Sequence, residues 1–337
     1  MNFVGIDLHK KTISLCVVNQ EREVLERKRF YCSDTERIVG FFRAIEAFQA
    51  VVEATASYEW LVALIEPLAE RVVLAHPKKM RVIAESTRKS DKLDAQLLAE
   101  FLALDMVPEA FRPSKRQRAH RILVRQRSYV SRRLTSVRNK IRRILSNYNA
   151  DREDLFTEAG LAYLNKTAVI EADRFVLDQL LREWRTYTEQ LKEVDKCLDR
   201  FAREAPVQEA EAREILDSIP TVGPVTIDVM LSELADVRRF RSQKKVCAYV
   251  GLAPGRRESA GRTRELSITK EGSGLLRWVL VQAAWRLVNK TARWRRIFEG
   301  LAKRRGKKKA IVAVARRLLC VMVSMLQNGR SYQAAMV

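Results

Sequence analysis

Two acidic residues end stretches of this sequence that otherwise have the pattern of buried β-strands. Asp7 lies near the end of the run FVGIDL, and Glu53 lies near the end of the run AVVEA. Burying an ionised carboxylate is costly unless the group is paired or binds a metal ion. The two positions therefore indicate either surface residues or a functional site.

A second pair of acids stands at the start of a predicted amphipathic helix. In the segment KSDKLDAQLLAEFLALDMV, Asp91 and Asp94 are three residues apart and project from one helix face. Helix capping is the simpler interpretation, because acids in a first turn favour the helix dipole. Together with Asp7 and Glu53, however, they make four carboxylates, and hard divalent cations such as Mg²⁺ or Mn²⁺ prefer such oxygen ligands.

A serine among arginines is the remaining candidate for chemistry. Ser259 is flanked by Arg256, Arg257, Arg262 and Arg264, in a stretch that we predict to be a loop between two apolar helices. Such a loop could be only a flexible phosphate binder. Serine surrounded by guanidinium groups is also how a nucleophile for a phosphodiester would be displayed.

The first two acids need a sheet to hold them, and residues 2–75 have its pattern. Three predicted strands, FVGIDL, TISLCVVN and VLERKRFYC, are separated by short polar segments and indicate a β-meander. A helical stretch, the strand AVVEA, a second helix and the strand RVVLA follow. Hairpin strands followed by β-α-β units predict an α/β domain with a mixed sheet.

Residues 112–148 form a strongly basic predicted helix. The segment contains thirteen Lys or Arg and no acid. Its apolar stripe has heptad-like spacing and consists of Val130, Leu134, Val137, Ile141 and Ile144. A second helical stretch, from FVLDQLL to KCLDRFA, has a stripe of its own. The two predict either an antiparallel hairpin or a dimerising coiled coil.

The charge of the chain indicates a polyanionic partner. The formal net charge is +22 and the isoelectric point is about 10.1. A run of like charge is commonly only a solvated face, but an all-positive face of this length repels itself without a polyanion. Nucleic acid is the leading partner, and Arg125, Arg132 and Arg143 on the polar face of the basic helix are candidate contacts.

A further segment, ILDSIPTVGPVTIDVMLSEL, has the pattern of two helices joined by a tight turn that contains glycine. A helix-hairpin-helix of this kind presents backbone N–H groups to phosphates. An ordinary turn between two helices fits the pattern nearly as well.

The sequence predicts neither a membrane protein nor a zinc protein. The most apolar late stretch, IVAVARRLLCVMVSML, is interrupted by two arginines and is too short to span a bilayer. We expect no signal peptide and no membrane partner. The five cysteines are scattered without a C-x-x-C pair, and the three histidines make no zinc-type spacing with them. We therefore expect a reducing cytoplasm.

Four motifs together resemble those of the DEDD transposases of bacterial insertion sequences, the insertion-sequence one-ten family, which also includes site-specific DNA invertases of pilin genes. The motifs are GIDLHK, VVEATASYEW, KSDKLDAQLLA, and GLAPGRRESAGRT followed by ITKEGSGLLRW. They occur in the family's order, and the resemblance extends over nearly the whole chain.

The resemblance implies three regions. Residues 1–110 would form a RuvC-like, ribonuclease H type nuclease domain that binds metal. Residues 111–205 would form a basic coiled-coil or helical hairpin for linking and dimerisation. Residues 206–337 would form a mainly α C-terminal transposase domain that contains the helix-hairpin-helix-like segment and the catalytic serine.

The resemblance also implies the roles of the acids and the partners. Asp7, Glu53, Asp91 and Asp94 match the family's metal-binding acids position by position. The partners would be donor and target DNA and a structured non-coding RNA, the bridge RNA, that pairs with both. Strand exchange joins four DNA ends, which implies a homodimer or homotetramer. The expected location is the bacterial cytoplasm, in association with the nucleoid.

The family's serine matches Ser259, because its distance to the Ile268-Thr269-Lys270 stretch fits the pattern. The family commonly has Ser-Gly where this chain has Ser-Ala-Gly. Ser267 and Ser273 therefore remain alternative nucleophiles. Lys270, with Arg256, Arg257 and Arg262 in the same segment, is a candidate nucleic-acid contact.

The sequence and the resemblance together predict a transposase that cuts and rejoins DNA through a phosphoserine intermediate, with Mg²⁺ or Mn²⁺ on the four acids. The first alternative is a RuvC-like endonuclease or junction resolvase that activates a water molecule and needs no serine. The second is a nucleic-acid-binding protein without catalysis, in which the acids are caps and surface residues.

Overall fold

The structure is a computed structural model that describes residues 1–55, 57–83, 91–259 and 262–333; no side chain is described at 81–83, 91–93, 256–259 and 262–265. The chain separates into two compact units, Met1–Arg112 and Pro113–Val337. Each unit has its own hydrophobic core. The three functional regions predicted from the resemblance stay a prediction.

The first unit is built on a mixed five-stranded sheet with the order β3-β2-β1-β4-β5. The strands are β1 (Asn2–Leu8), β2 (Thr12–Val18), β3 (Val24–Tyr31), β4 (Phe48–Glu53) and β5 (Arg71–Ala75). Strands β1 to β3 form an antiparallel meander, whereas β1, β4 and β5 run parallel. The predicted α/β domain with a mixed sheet is therefore confirmed.

Helices cover both faces of this sheet. They are α1 (Thr35–Ala44), α2 (Glu59–Ile65), α3 (Pro77–Ile83) and α4 (Asp91–Ala103). On one face, Ile38 and Phe42 of α1 and Leu61 of α2 pack with the strands in one core cluster. On the other face, Ala95 and Ala99 of α4 pack against the middle of the sheet. Burial on both faces explains why β1 and β4 have nearly continuous apolar sequences.

The approach of α4 to β1 is unusually close and depends on Gly5. A Cβ atom at this position would lie 1.9 Å from the carbonyl oxygen of Ala95 and 2.5 Å from the backbone nitrogen of Ala99. The C-terminal end of α4 lies near Phe3 and Val24, because these residues pack in the same cluster as Ala103. Helix α4 therefore runs antiparallel to β1, and its N-terminal end lies where β1 ends.

The second unit begins with a long helical hairpin. Its helices are α5 (Lys115–Ser146), α6 (Glu158–Lys166) and α7 (Glu171–Arg203). Ion pairing joins Arg127 to Asp195, and a hydrogen bond joins Tyr148 to Asp173, so α5 and α7 are antiparallel. The apolar stripe predicted for the basic helix is buried between them at Leu134, Val137 and Ile141 among others. The sequence left open an antiparallel hairpin or a dimerising coiled coil, and within one chain α5 and α7 form the antiparallel hairpin.

The rest of the second unit is a helical core with a small two-stranded sheet. Its elements are α8 (Val207–Asp217), α9 (Pro224–Leu234), a short 3₁₀ turn (Val237–Arg239), α10 (Gln243–Val250), β6 (Pro254–Ser259), β7 (Arg262–Ile268), α11 (Gly274–Lys290), α12 (Ala292–Arg305) and α13 (Lys307–Asn328). Helix α13 is apolar and long enough to cross a membrane, but 56% of that apolar window is buried inside the structure. Its buried side chains belong to the core cluster of this unit.

The segment that contains Ser259 is a β-hairpin, so the predicted loop between two apolar helices was wrong. Strands β6 and β7 are antiparallel, with Glu258 opposite Thr263 and Ser259 opposite Arg262. Alternation of apolar and polar residues is the main sequence signal of a strand. Both strands are instead rich in polar and charged residues, and this composition concealed the hairpin.

We expect Gly5→Ala to lower the free energy of unfolding by about 1–3 kcal/mol or more, because the added methyl group overlaps backbone atoms of α4 that cannot move aside. Urea unfolding followed by circular dichroism measures the change. Gly40→Ala in α1 is the matched control, because a Cβ there meets no atom of the described residues within 4 Å. This substitution should stabilise the helix by about 0.5–1 kcal/mol. Equal stability of Gly5→Ala and the original chain would contradict the close contact.

Candidate active site

Asp7 and Glu53 lie side by side at one edge of the sheet. Strands β1 and β4 pair in parallel up to Ile6 and Val52, so the two acids occupy the next positions of adjacent strands. Adjacent strands lie about 4.8 Å apart. Both acids are half-buried. The sequence thus predicted correctly that two acids end two central strands.

Both acids also lie on the sheet face that α4 covers. Side chains alternate along a strand, so Asp7 shares its face with Gly5, against which α4 packs. Glu53 shares its face with Val51, which packs with Leu98 of α4. The N-terminal end of α4 is therefore the part of the helix that lies beside the acid edge.

Asp91 and Asp94 stand at that N-terminal end. Asp91 is the first residue of α4, and its side chain lies outside the described side chains. Asp94 immediately precedes Ala95, whose carbonyl oxygen lies against β1, and its own side chain is exposed. The fold therefore brings the backbone positions of all four predicted acids to one end of one face of the sheet.

Two histidines that the sequence analysis did not select lie at the same edge. The Nε2 atom of His9 is 3.0 Å from Oδ2 of Asp7, and the Asp7 side chain is only 13% exposed. His76 follows β5, which pairs with β4, and its backbone N–H donates to the carbonyl oxygen of Pro108. Within the described part of the chain, its buried Nδ1 atom has no hydrogen-bond partner. The available signal was their position directly after a strand, rather than metal-type spacing.

This edge fits a hard divalent cation by its donor chemistry. Carboxylates are the protein ligands that Mg²⁺ prefers, and a cation relieves the repulsion between acids that a fold brings together. No three His, Cys, Asp or Glu side chains among those described form a closed metal-binding group.

The hairpin that contains Ser259 is held firmly at its base. The backbone N–H of Thr269 donates to the Ala253 carbonyl, and that of Lys270 donates to the Gly251 carbonyl. Ser259 is the last described residue of β6, and its side chain, like those of Arg256, Arg257 and Arg262, is not described. Their predicted roles stay predictions.

Two glycines and one arginine fix the base of the hairpin on α10. Gly251 and Gly272 have positive φ angles of 75° and 68°, which favour glycine. A Cβ at Gly251 would lie 2.1 Å from the Glu271 carbonyl oxygen, and one at Gly272 would lie 2.1 Å from that of Tyr249. The Arg277 guanidinium donates to the carbonyl oxygens of Val250, Glu271 and Gly272. The base is therefore a rigid support for the strand that ends at Ser259.

The two alternative serines differ in their surroundings. The hydroxyl oxygen of Ser273 accepts a hydrogen bond from the backbone N–H of Leu276 and caps the N-terminus of α11. Ser267 lies on β7 and is exposed. Ser273 thus has a structural function that requires no chemistry. Ser259 and Ser267, which lie on the two hairpin strands, remain the predicted candidates for the nucleophile.

The basic helix α5 uses several of its arginines to hold acids of the same unit. Arg125 makes two hydrogen bonds, of 3.0 and 3.2 Å, to the carboxylate of Glu233, which is only 4% exposed. Arg121 donates to the Ser232 carbonyl and lies 3.7 Å from the same carboxylate. A buried carboxylate requires such partners. Arg125, a predicted nucleic-acid contact, therefore also docks α5 onto α9.

A different face of α5 is open and basic. Arg132, Thr135, Ser136, Asn139, Lys140 and Arg143 line a shallow groove along the helix. These positions follow the three- and four-residue spacing of one helix face. Among the described residues, Arg132 donates to one partner, the Ser128 carbonyl within its own helix, and Arg143 is exposed. Two of the three predicted contacts on this helix thus share one accessible surface, which we call the α5 groove.

The two helices predicted in ILDSIPTVGPVTIDVMLSEL are present as α8 and α9, joined by a short turn. Thr221 in the connecting turn has a positive φ of 71°, and α9 begins after Gly223 with Pro224 in its first turn. Whether this turn binds phosphate stays a prediction.

A buried polar network near α9 was missed by the sequence analysis. Nε2 of His120 lies 2.9 Å from Oδ1 of Asp228, and a guanidinium nitrogen of Arg213 lies 2.8 Å from the same oxygen. The His120 ring stacks on Phe201 with 4.8 Å between centroids. The network connects α5, α7, α8 and α9, so it stabilises this helical core.

Two family models match the chain. One is a DEDD transposase model of the IS110 type, described as a transposase, and it matches residues 4–150. The other is described as a transposase of the IS116/IS110/IS902 family, and it matches residues 213–299. Together they cover more than half of the chain, including both the acid edge and the serine hairpin.

Curated relatives agree with this match over nearly the full length. A putative transposase of Sinorhizobium fredii is 27% identical, over 98% of this chain and 86% of its own. The transposase for the insertion sequence element IS1111A of Coxiella burnetii is 24% identical, over 99% and 92%. A pilin gene-inverting protein of Moraxella lacunata is 24% identical, over 98% and 97%. The chain belongs to the IS110/IS116 family of DEDD transposases and is the transposase of an insertion sequence of this family.

Proposed function

We propose that this transposase cuts and rejoins DNA through a covalent phosphoserine intermediate. Asp7, Glu53, Asp91 and Asp94 would hold Mg²⁺ or Mn²⁺, and Ser259 would be the nucleophile. The observation that supports this proposal most is the common edge of β1 and β4, where Asp7 and Glu53 are adjacent beneath the start of α4. We further propose that the first unit is a RuvC-like, ribonuclease H type domain.

The chain's own residues would divide the chemistry between them. The Ser259 hydroxyl attacks the scissile phosphorus, an Oγ–P bond forms, and the sugar oxygen leaves as a hydroxyl group. A hydroxyl of the receiving strand later attacks the phosphoserine, and the serine regains its proton. The divalent cation that Asp7, Glu53, Asp91 and Asp94 would hold would supply polarisation of the phosphoryl oxygens and stabilisation of the developing charge. Arginines beside the serine add to that stabilisation.

The covalent link explains how joining could follow cutting without another source of energy. The phosphodiester bond energy is kept in the Oγ–P bond, so ATP is not required. The RuvC-like nuclease alternative differs in its product, because water as nucleophile leaves free ends. A binder without catalysis would leave the DNA intact.

The proposed partners are donor and target DNA and the bridge RNA. The net charge of +22 and the α5 groove support binding of nucleic-acid backbones. If base pairing with RNA selects the sequence, the protein needs to contact only backbone and shape. We further propose a homodimer or homotetramer that acts in the cytoplasm, associated with the nucleoid.

The acids can be tested separately from binding. We expect Asp7→Asn and Glu53→Gln each to reduce cleavage of DNA that spans the element's ends by about 100-fold or more, because each removes a proposed metal ligand. EDTA should have the same effect. Nucleic-acid affinity should not change, since it depends on the basic surface. Glu46→Gln, an exposed acid before β4, is the control. Full cleavage by Asp7→Asn would exclude the proposed metal site.

The nucleophile can be identified directly. Ser259→Ala should eliminate the covalent protein–DNA adduct while DNA binding persists, and in the original chain the adduct should map by peptide mass spectrometry to the ESAGR stretch. Ser267→Ala on the facing strand is the matched control and should retain the adduct. Cleavage with free ends by Ser259→Ala would favour the water-activated nuclease. An adduct on Ser267 would preserve the mechanism but change the residue.

The α5 groove can be tested by the salt dependence of binding. Arg132→Gln with Arg143→Gln should reduce the slope of log affinity against log salt by about 0.9 per lost duplex phosphate contact. Arg125→Gln is the contrasting variant, because its guanidinium holds buried Glu233. Arg125→Gln should lower the free energy of unfolding, because it leaves the buried Glu233 carboxylate without this partner. It should leave the slope of log affinity against log salt nearly unchanged. An unchanged slope in the double variant would show that the groove does not contact phosphates.

A further inference from the structure

Two cysteines of the second unit lie close enough to react with each other. The sulfur atoms of Cys247, on α10, and Cys320, on α13, are 3.6 Å apart. Both are free thiols and are 73 residues apart in the chain. A disulfide bond is about 2.05 Å long, so the sulfurs need to approach by only about 1.5 Å. The other three cysteines lie on β2, just after β3 and on α7.

The surroundings of the two thiols favour their reaction. The Cys320 thiol, which can donate to the Cys247 sulfur, lowers the pKa of Cys247, and the Arg316 guanidinium lowers it further. The same hydrogen bond raises the pKa of Cys320. Cys247 is therefore the thiolate of the pair, and the thiolate is the reactive form. Cys247 is 1% exposed, whereas Cys320 is half-buried, so Cys320 is the side from which we expect a small oxidant to reach the pair.

We propose that Cys247 and Cys320 form a reversible disulfide in response to peroxide and thereby lock α10 onto α13. The Cys247 thiolate attacks one oxygen of hydrogen peroxide, the O–O bond breaks, and water leaves with one proton from the medium. The resulting sulfenic acid reacts with the Cys320 thiol, the S–S bond forms, and a second water leaves. The two sulfurs are oxidised by two electrons in total, and the peroxide is reduced. A cytosolic disulfide of this kind is typically transient and regulatory.

Cys247 is also connected to the base of the serine hairpin. Its backbone carbonyl accepts hydrogen bonds from the N–H groups of Leu252 and Ala253, which lead into β6. A covalent bond at Cys247 therefore restricts the helix end that supports the hairpin. We expect oxidation to reduce formation of the DNA adduct, and this consequence rests on the proposed function of Ser259.

The disulfide is tested on the full chain by titration with hydrogen peroxide, alkylation of the remaining thiols and peptide mass spectrometry. We expect an intramolecular cross-link between the Cys247 and Cys320 peptides, reversal by dithiothreitol, and a melting temperature about 5 °C or more above that of the reduced chain. Cys320→Ser should lose the cross-link, and Cys320→Ala serves as a second variant if the serine destabilises the fold. Cys197→Ser is the control and should retain the cross-link.

Oxidation of Cys197 shows that the peroxide treatment was effective. If Cys247 and Cys320 are both still fully alkylated after such treatment, the proposal is wrong. A cross-link found only between two chains would also overturn it. The effect on the DNA adduct is measured in the same samples. The adduct should decrease several-fold on oxidation in the original chain and not in Cys320→Ser. A cross-link without this decrease would refute the connection to the hairpin. Absence of the adduct in the reduced chain would refute the proposed function of Ser259 and leave the disulfide result intact.

Discussion

The close approach of α4 to Gly5 is the contact on which the acid edge of the first unit depends. Backbone atoms of Ala95 and Ala99 occupy the space that any side chain at this position would need. Because the helix lies directly on β1 and runs antiparallel to it, its first turn comes to the end of the strand where Asp7 and Glu53 lie. A larger residue would displace the whole helix and with it the backbone of Asp91 and Asp94. The lack of a side chain at Gly5 thus determines where the backbone of Asp91 and Asp94 lies.

The second unit supports its hairpin by the same means. Gly251 lies directly against the backbone of Glu271, and Gly272 lies directly against the backbone of Tyr249 at the end of α10. The Arg277 guanidinium donates hydrogen bonds to carbonyl oxygens at this junction. In both units, glycine brings main chains together, and at Gly251 and Gly272 it also allows positive φ angles. The family motifs GIDLHK, GLAPG and KEGSG each contain one of these contact glycines or lie beside it. This gives a physical reason for the residue type at these positions.

The sequence predicted the first unit well because its signals are local. Strands β1, β2, β4 and β5 are mainly apolar runs bounded by polar residues, so their positions and the acids at the ends of β1 and β4 could be predicted directly. Strand β3 is charged in its middle but has apolar residues at both ends. The hairpin of Ser259 was not predicted, because its strands are rich in polar and charged residues and lack such apolar ends on both sides. The role of His9 also escaped prediction, because it results from a turn that folds back onto Asp7. Arg125 appeared equivalent to Arg132 in sequence, and only the position of buried Glu233 in α9 distinguishes them.

The pairing of Arg125 with Glu233 has a consequence for how the protein responds to ions. Mobile ions screen the attraction between solvent-exposed charges, with a screening length of about 10 Å at 0.1 M salt, whereas a pair with a buried member is screened much less. Binding to a nucleic-acid backbone also weakens as salt rises, because it releases counterions. The proposed contacts between the α5 groove and a polyanion would be of the first kind, and the contacts that dock α5 onto α9 are of the second. If the groove binds nucleic acid as proposed, rising salt would release the nucleic acid before it loosens α5. The protein would then keep its basic surface assembled through a wash in concentrated salt.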